Sequence, residues 1–242
     1  MYEPRLAKTA TLPIPPAVKR DGTQRSGRQP HESAPLMRKY AAACITKDGK
    51  EAWVERLAPA SPDFEQAFSA VTHSTLIFSP NGPIQASDIG PGDEITGASG
   101  KTRKVLWVGS MTGVPTFDNP QLPEFRLVRV AADAFGLDRP MGDLTLAPHA
   151  LLYMGREIIS AADRVDGDAI CAIMPQSSVR MYHIMLDQPD HLLANGLPVS
   201  SYAPSPRMLD RMGPNRKALF TSFFPGLIET GENTTHSISN FA

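Results

Sequence analysis

The stretch Ser74-Thr75-Leu76-Ile77-Phe78-Ser79-Pro80-Asn81-Gly82-Pro83-Ile84, followed by Asp88-Ile89-Gly90-Pro91-Gly92-Asp93-Glu94-Ile95, decides the fold class of this chain. Leu76 to Phe78 is a short apolar run, Pro80-Asn81-Gly82 is turn chemistry, and a second run begins at Ile84. Gly90-Pro91-Gly92-Asp93 then makes a corner that leads into a third run. Apolar runs of this length, broken this often, are strands rather than helices. The same rhythm extends outward through residues 103–108, 125–131, 144–146, 150–154, 168–173, 179–186, 191–194 and 197–202, rich in Val, Ile and Tyr. Across the 242 residues, 23 prolines and 18 glycines favour many turns over long helices, so an all-β, sheet-rich core is expected.

Toward the N-terminus the pattern changes. Residues 1–34 carry Pro13, Pro15, Pro16 and Pro30 among Lys8, Lys19, Arg20, Arg25 and Arg28, without apolar periodicity. Such a segment buries too little surface to offset its ordering entropy and reads as a flexible basic arm. In residues 39–68 two apolar runs flank Asp48-Gly49, which predicts a hairpin. Ser61-Pro62-Asp63-Phe64-Glu65-Gln66-Ala67-Phe68 then offers a capping residue, a first-turn proline and apolar positions four apart, the pattern of a short helix. Residues 206–242 read as a helical extension interrupted at Gly213-Pro214 and ending in a polar tail; Phe220, Phe223 and Phe224 form an apolar stripe suited to packing on the sheet.

A net charge of −1 supplies no general attraction to nucleic acid or anionic membrane. The absence of a long apolar run and of a leader-like start leads to the expectation of a soluble, cytoplasmic protein. Cys44 and Cys171 are too few for a disulfide framework or a zinc site, and both are expected to act as small apolar side chains. No cofactor and no metal are expected. Four histidines, His73, His149, His183 and His191, invite a metal-site reading, but no His-Glu-x-x-His helix accompanies them.

The opening stretch resembles the start of the Hint (hedgehog/intein) autoprocessing domain, in which a Gly-Thr-Leu-Ile-like strand precedes a Pro-Gly-Asp turn. Arg103-Lys104-Val105-Leu106-Trp107-Val108-Gly109 resembles that family's strand ending in Trp-x-Gly, and Asp143-Leu144-Thr145-Leu146-Ala147-Pro148-His149 resembles the segment carrying its catalytic histidine. Residues 179–186 and 194–202 resemble its last two strands. The resemblance spans residues 69–205 and implies a Hint-type fold with a short preceding helix and a C-terminal helical extension.

It also implies a chemistry, an acyl shift begun by a thiol or hydroxyl and assisted by a histidine that protonates the scissile amide. With Ser74 at the glycine position, the nucleophile position is Ala70, whose methyl group cannot attack a carbonyl. Thr145 and His149 are four apart, one more than the family's pairing; His191 stands one step late, and Ser200-Ser201 replace the terminal His-Asn. The resemblance therefore implies a domain without autoprocessing activity, serving as an interaction module for an extended peptide or protein. The alternative is residual self-cleavage using Ser69, Thr72 or Ser74 as nucleophile with His149 as proton donor; a small hydrolase built on the histidines is a third reading.

Overall fold

The computed structural model describes residues 35–46, 48–115 and 124–228, so the arm expected at 1–34 and the tail expected from 230 lie outside the described residues. The described residues all belong to the unit Pro35–Ala242. The Asp48-Gly49 turn closes a hairpin, with Gly49 at φ +77°. Strands β1 (Met37–Ile45) and β2 (Glu51–Pro59) pair antiparallel from Met37 opposite Pro59 to Ile45 opposite Glu51. Helix α1 (Pro62–Phe68) follows, with Pro62 in its first turn and Asp63 and Glu65 near its positive end. It buries Phe64, Ala67 and Phe68.

The chain then runs through β3 (Val71–Thr72), β4 (Leu76–Ser79), β5 (Gly82–Gln85), β6 (Glu94–Thr96), β7 (Thr102–Gly113), β8 (Leu127–Val130) and β9 (Leu144–Leu146). It continues through β10 (Leu151–Met154), β11 (Glu157–Ser160), β12 (Ile170–Ile173), β13 (Val179–Leu186), β14 (His191–Ala194) and β15 (Leu197–Ser200), and ends in α2 (Pro206–Arg211) and α3 (Pro214–Thr221). Among the described residues these strands make two antiparallel sheets. The larger has nine strands in the order β12-β8-β9-β3-β13-β7-β1-β2 with β6 on β7; the smaller has six, β11-β10-β15-β14-β4-β5. The opening stretch forms the β4–β5 hairpin and the corner into β6, as its turns require. No helix of the described residues is long and apolar enough to cross a membrane.

Side chains alternate across a strand, so the central strands of the large sheet feed two cores. Val71, Val105, Val108, Leu146, Tyr182 and Ile184 join Ile77, Leu152, Leu192 and Val199 of the smaller sheet. Tyr40, Cys44, Trp107, Met111, Met181 and Met185 belong to the second core with α1 and the C-terminal helices. There the expected stripe packs as an aromatic layer: Trp107 stacks on Phe224 at 4.6 Å, and Phe68 meets Phe223 at 4.9 Å. Trp107 Nε1 donates to the Phe223 carbonyl at 2.8 Å. Each such ring, fully buried, is worth about 2 to 3 kcal/mol. The Trp-x-Gly motif has a local cause, since a Cβ on Gly109 would overlap the Trp107 ring.

Two expectations need correction. Cys171, expected to act as a small apolar side chain, is only half-buried, because β12 is an edge strand of the large sheet. Two strands, β3 and β11, escaped the sequence reading; β3 is only two residues long and is defined by its neighbours β13 and β9.

Candidate functional site

Helix α1 ends immediately before the segment the sequence singled out, and the last carbonyls of a helix need partners from elsewhere. Ser69 Oγ donates to the Glu65 carbonyl at 2.7 Å. His183 Nδ1, from β13, lies 2.9 Å from the Gln66 carbonyl oxygen. His149 Nε2, from the turn after β9, lies 2.7 Å from the Ser69 carbonyl oxygen and 3.2 Å from Ser69 Oγ. A carbonyl oxygen only accepts, so each of these ring nitrogens carries a proton and donates it. The two imidazoles close off the C-terminal end of α1.

Burial pushes the His149 imidazole below its usual pKa, against the pull of the Ser69 carbonyl and the Glu65 charge. Burial likewise lowers His183, to about 4, with the Gln66 carbonyl opposing and the neighbouring His149 adding to the fall. Both rings are therefore neutral near pH 7. In a neutral imidazole a nitrogen that donates cannot also accept, so His149 Nε2 is unavailable as a base for Ser69. The Ser69 hydroxyl proton is already committed to Glu65.

The next residue is locked in the sheet. Ala70 N–H donates to the Tyr182 carbonyl at 2.9 Å, and its own carbonyl accepts from Ala147 N–H at 2.8 Å. Its side chain is fully buried in the first core. The two ends of the 69–205 segment meet on β13. Ala70 binds the carbonyl of Tyr182, Tyr202 N–H donates to that of Ile184 at 2.7 Å, and residues two apart on a strand are separated by about 7 Å.

A cleft of about 410 Å³ opens beside this junction, lined by His149 and His183, by Asp63 and Gln66 of α1, by Ser200 to Ala203, and by Leu151, Ser205 and Met208. A second hollow of about 560 Å³ shares Ser200, Ser201 and Ala203 with it and contains His191. The two hollows share this part of their lining at the end of β15. In the second hollow His191 stacks on Tyr153 with ring centres 4.4 Å apart, and its Nδ1 lies 3.2 Å from Ser200 Oγ. Beneath it Asp190, almost wholly buried, accepts from Arg103 Nε at 2.9 Å and from the Ser99 hydroxyl. Burial alone would raise the Asp190 carboxyl; those bonds hold it below the usual carboxylate range.

The other sequence candidates are dispersed. Ser74 and His73 are exposed, and Thr72 is buried with its hydroxyl 3.2 Å from that of Thr75. Thr145 sits on β9 opposite Arg129 and does not line the cleft. Strand β9 stops at Leu146, and the chain turns back with Ala150 N–H on the Ala147 carbonyl, so Thr145 and His149 share no strand face. Among the described residues no group of three or more His, Cys, Asp or Glu is placed to hold a metal ion. Sequence reasoning missed the part that Asp63, Tyr202 and Met208 play in the cleft. The helix signal directly upstream of Ser69 was the available clue, since a helix ending there must cover the neighbouring strands.

A sequence family described as a Hint domain matches residues 69–206. The chain belongs to the Hint domain family. Solved structures similar to this Hint domain include a crystal structure of the MchDnaB-1 intein, 16% identical with a TM-score of 0.40, covering 55% of this chain and 100% of that one. A solution structure of a bacterial intein-like domain from Clostridium thermocellum is 12% identical with a TM-score of 0.42, covering 55% and 99%. A DnaB intein from Synechocystis is 8% identical with a TM-score of 0.37, covering 56% and 99%. No curated protein sequence matches the chain. The matched segment of the Hint domain begins at Ser69, so α1 and the β1–β2 hairpin precede it while sharing its second core.

Proposed function

We propose that this Hint domain performs no self-cleavage and uses the cleft beside α1 to hold an extended segment of a polypeptide. The observation that carries the reading is the proton inventory at the junction. Position 70 offers a methyl group, the Ser69 hydroxyl donates to Glu65, and the protons of His149 and His183 are spent on the end of α1. No group there combines a free nucleophile with a base able to activate it, and both are required for an acyl shift. The cleft sets polar side chains beside an apolar wall of Leu151, Ala203 and Met208, and its volume suits two or three side chains.

Self-cleavage through Ser69 is supported by one distance, the 3.2 Å between its hydroxyl and His149 Nε2. It requires that nitrogen to accept, whereas its bond to the Ser69 carbonyl makes it a donor. The test is the intact mass of freshly purified protein held for days with and without added thiol, measured under denaturing conditions. The full-length mass is expected throughout. A product whose new N-terminus is Ser69 or Ala70 would overturn the reading.

A further inference from the structure

The cleft holds one polar group that the fold leaves without a partner. Tyr202 is 7% exposed and packs its ring between Trp107 at 5.4 Å and His183 at 5.0 Å, yet its hydroxyl makes no hydrogen bond among the described residues. An unmade hydrogen bond of this kind costs about 1 to 3 kcal/mol, so a native structure tolerates it where something else completes it. The hydroxyl lies within the field of Asp63, another wall of the cleft, which together with burial disfavours the phenolate. It therefore stays a neutral hydroxyl with lone pairs to offer.

The rest of the wall is equally rich in acceptors. Among the described residues no Lys or Arg lines the cleft, and Asp63 supplies its one carboxylate. Arg216 reaches Asp63 from outside, touching Oδ2 at 3.2 Å with both side chains substantially exposed. Such an exposed pair is worth little. The imidazole protons of His149 and His183 point away toward α1. Leu151, Ala203 and Met208 provide an apolar wall alongside.

We infer that the cleft takes a lysine or arginine side chain of the bound polypeptide, its methylene stem against Leu151, Ala203 and Met208 and its cationic head between Asp63 and the Tyr202 hydroxyl. This deepens the peptide-holding function proposed above and rests on it. A cation donates to both oxygens at once, which neither a carboxylate nor an apolar side chain can do. The stem suits the wall because long basic side chains bury their methylenes while the head stays polar.

The test is calorimetric titration of the full chain with three acetylated, amidated pentapeptides, Gly-Leu-X-Leu-Gly, where X is Lys, norleucine or Glu. The Lys peptide is expected to bind about tenfold more tightly than the norleucine peptide, the worth of one charge-assisted hydrogen bond. Asp63→Asn and Tyr202→Phe are each expected to abolish that preference, so that each variant binds the Lys and norleucine peptides alike. Equal affinity for the Lys and norleucine peptides, or a preference for Glu, overturns the cation inference and leaves the peptide-holding reading standing. Failure of all three to bind at millimolar concentration removes the peptide-holding reading itself.

Discussion

His183 makes the stability of this protein depend on pH in a way that can be calculated. Its imidazole has an ordinary pKa of 6.5 and is held at about 4 in the fold, chiefly by burial. The unfolded chain therefore binds a proton between pH 6.5 and 4 that the folded chain refuses, and stability falls as pH falls through that window. With about 1.4 kcal/mol per unit of pKa, the gap integrates to a loss of about 2 kcal/mol between pH 7 and pH 5. His149 and His191 are lowered in the same direction, mainly by burial, so the wild-type curve contains more than one contribution. The comparison that isolates His183 is with His183→Gln, whose amide can still donate to the Gln66 carbonyl but does not titrate. Urea unfolding at pH 7, 6 and 5 is expected to show the variant losing about 2 kcal/mol less than wild type over the range. Parallel stability curves would refute the reasoning, whatever the stability of the variant at neutral pH.

Other outcomes follow from packing and protonation. Gly109→Ala forces a Cβ into the Trp107 ring and is expected to destabilise by about 1 to 3 kcal/mol in chemical unfolding, with the tryptophan emission shifted to the red. Asp190→Asn removes the charge that Arg103 and Ser99 hold at the second hollow, and about 1 to 3 kcal/mol should be lost in the same assay. Cys44, buried and with its thiol pushed up by burial, should label slowly with a thiol reagent in the native state, while half-buried Cys171 labels first. Ala70→Cys should remain uncleaved by intact mass, since the protons of His149 and His183 stay committed to α1.

The strands were legible because turn residues interrupt apolar runs at close intervals. The Asp48-Gly49 hairpin, the helix after Ser61 and the Phe220 to Phe224 layer were legible for the same kind of local reason. What local pattern could not carry was partnership across the chain. Residues 71–72 are a strand only because Tyr182 and Leu146 flank them, and Cys171 faces partly outward because β12 has one neighbour. At the site, Thr145 and His149 stand only four apart in sequence, and the turn at Ala147 separates them in space. That His149 and His183 converge on the end of α1 depends on three elements distant in sequence. No spacing within any one of them encodes it.

The aromatic layer bears on what a cut at residue 69 could accomplish. An excisable segment must be able to part from its neighbours once the bond is broken. Here Tyr40, Phe64 and Phe68 from before that position interlock with Trp107, Phe220, Phe223 and Phe224 from after it, and β1 is laced to β7 over five residue pairs. Severing the peptide bond would leave two fragments clasped together as a nicked whole, so release is opposed by the architecture independently of any missing nucleophile.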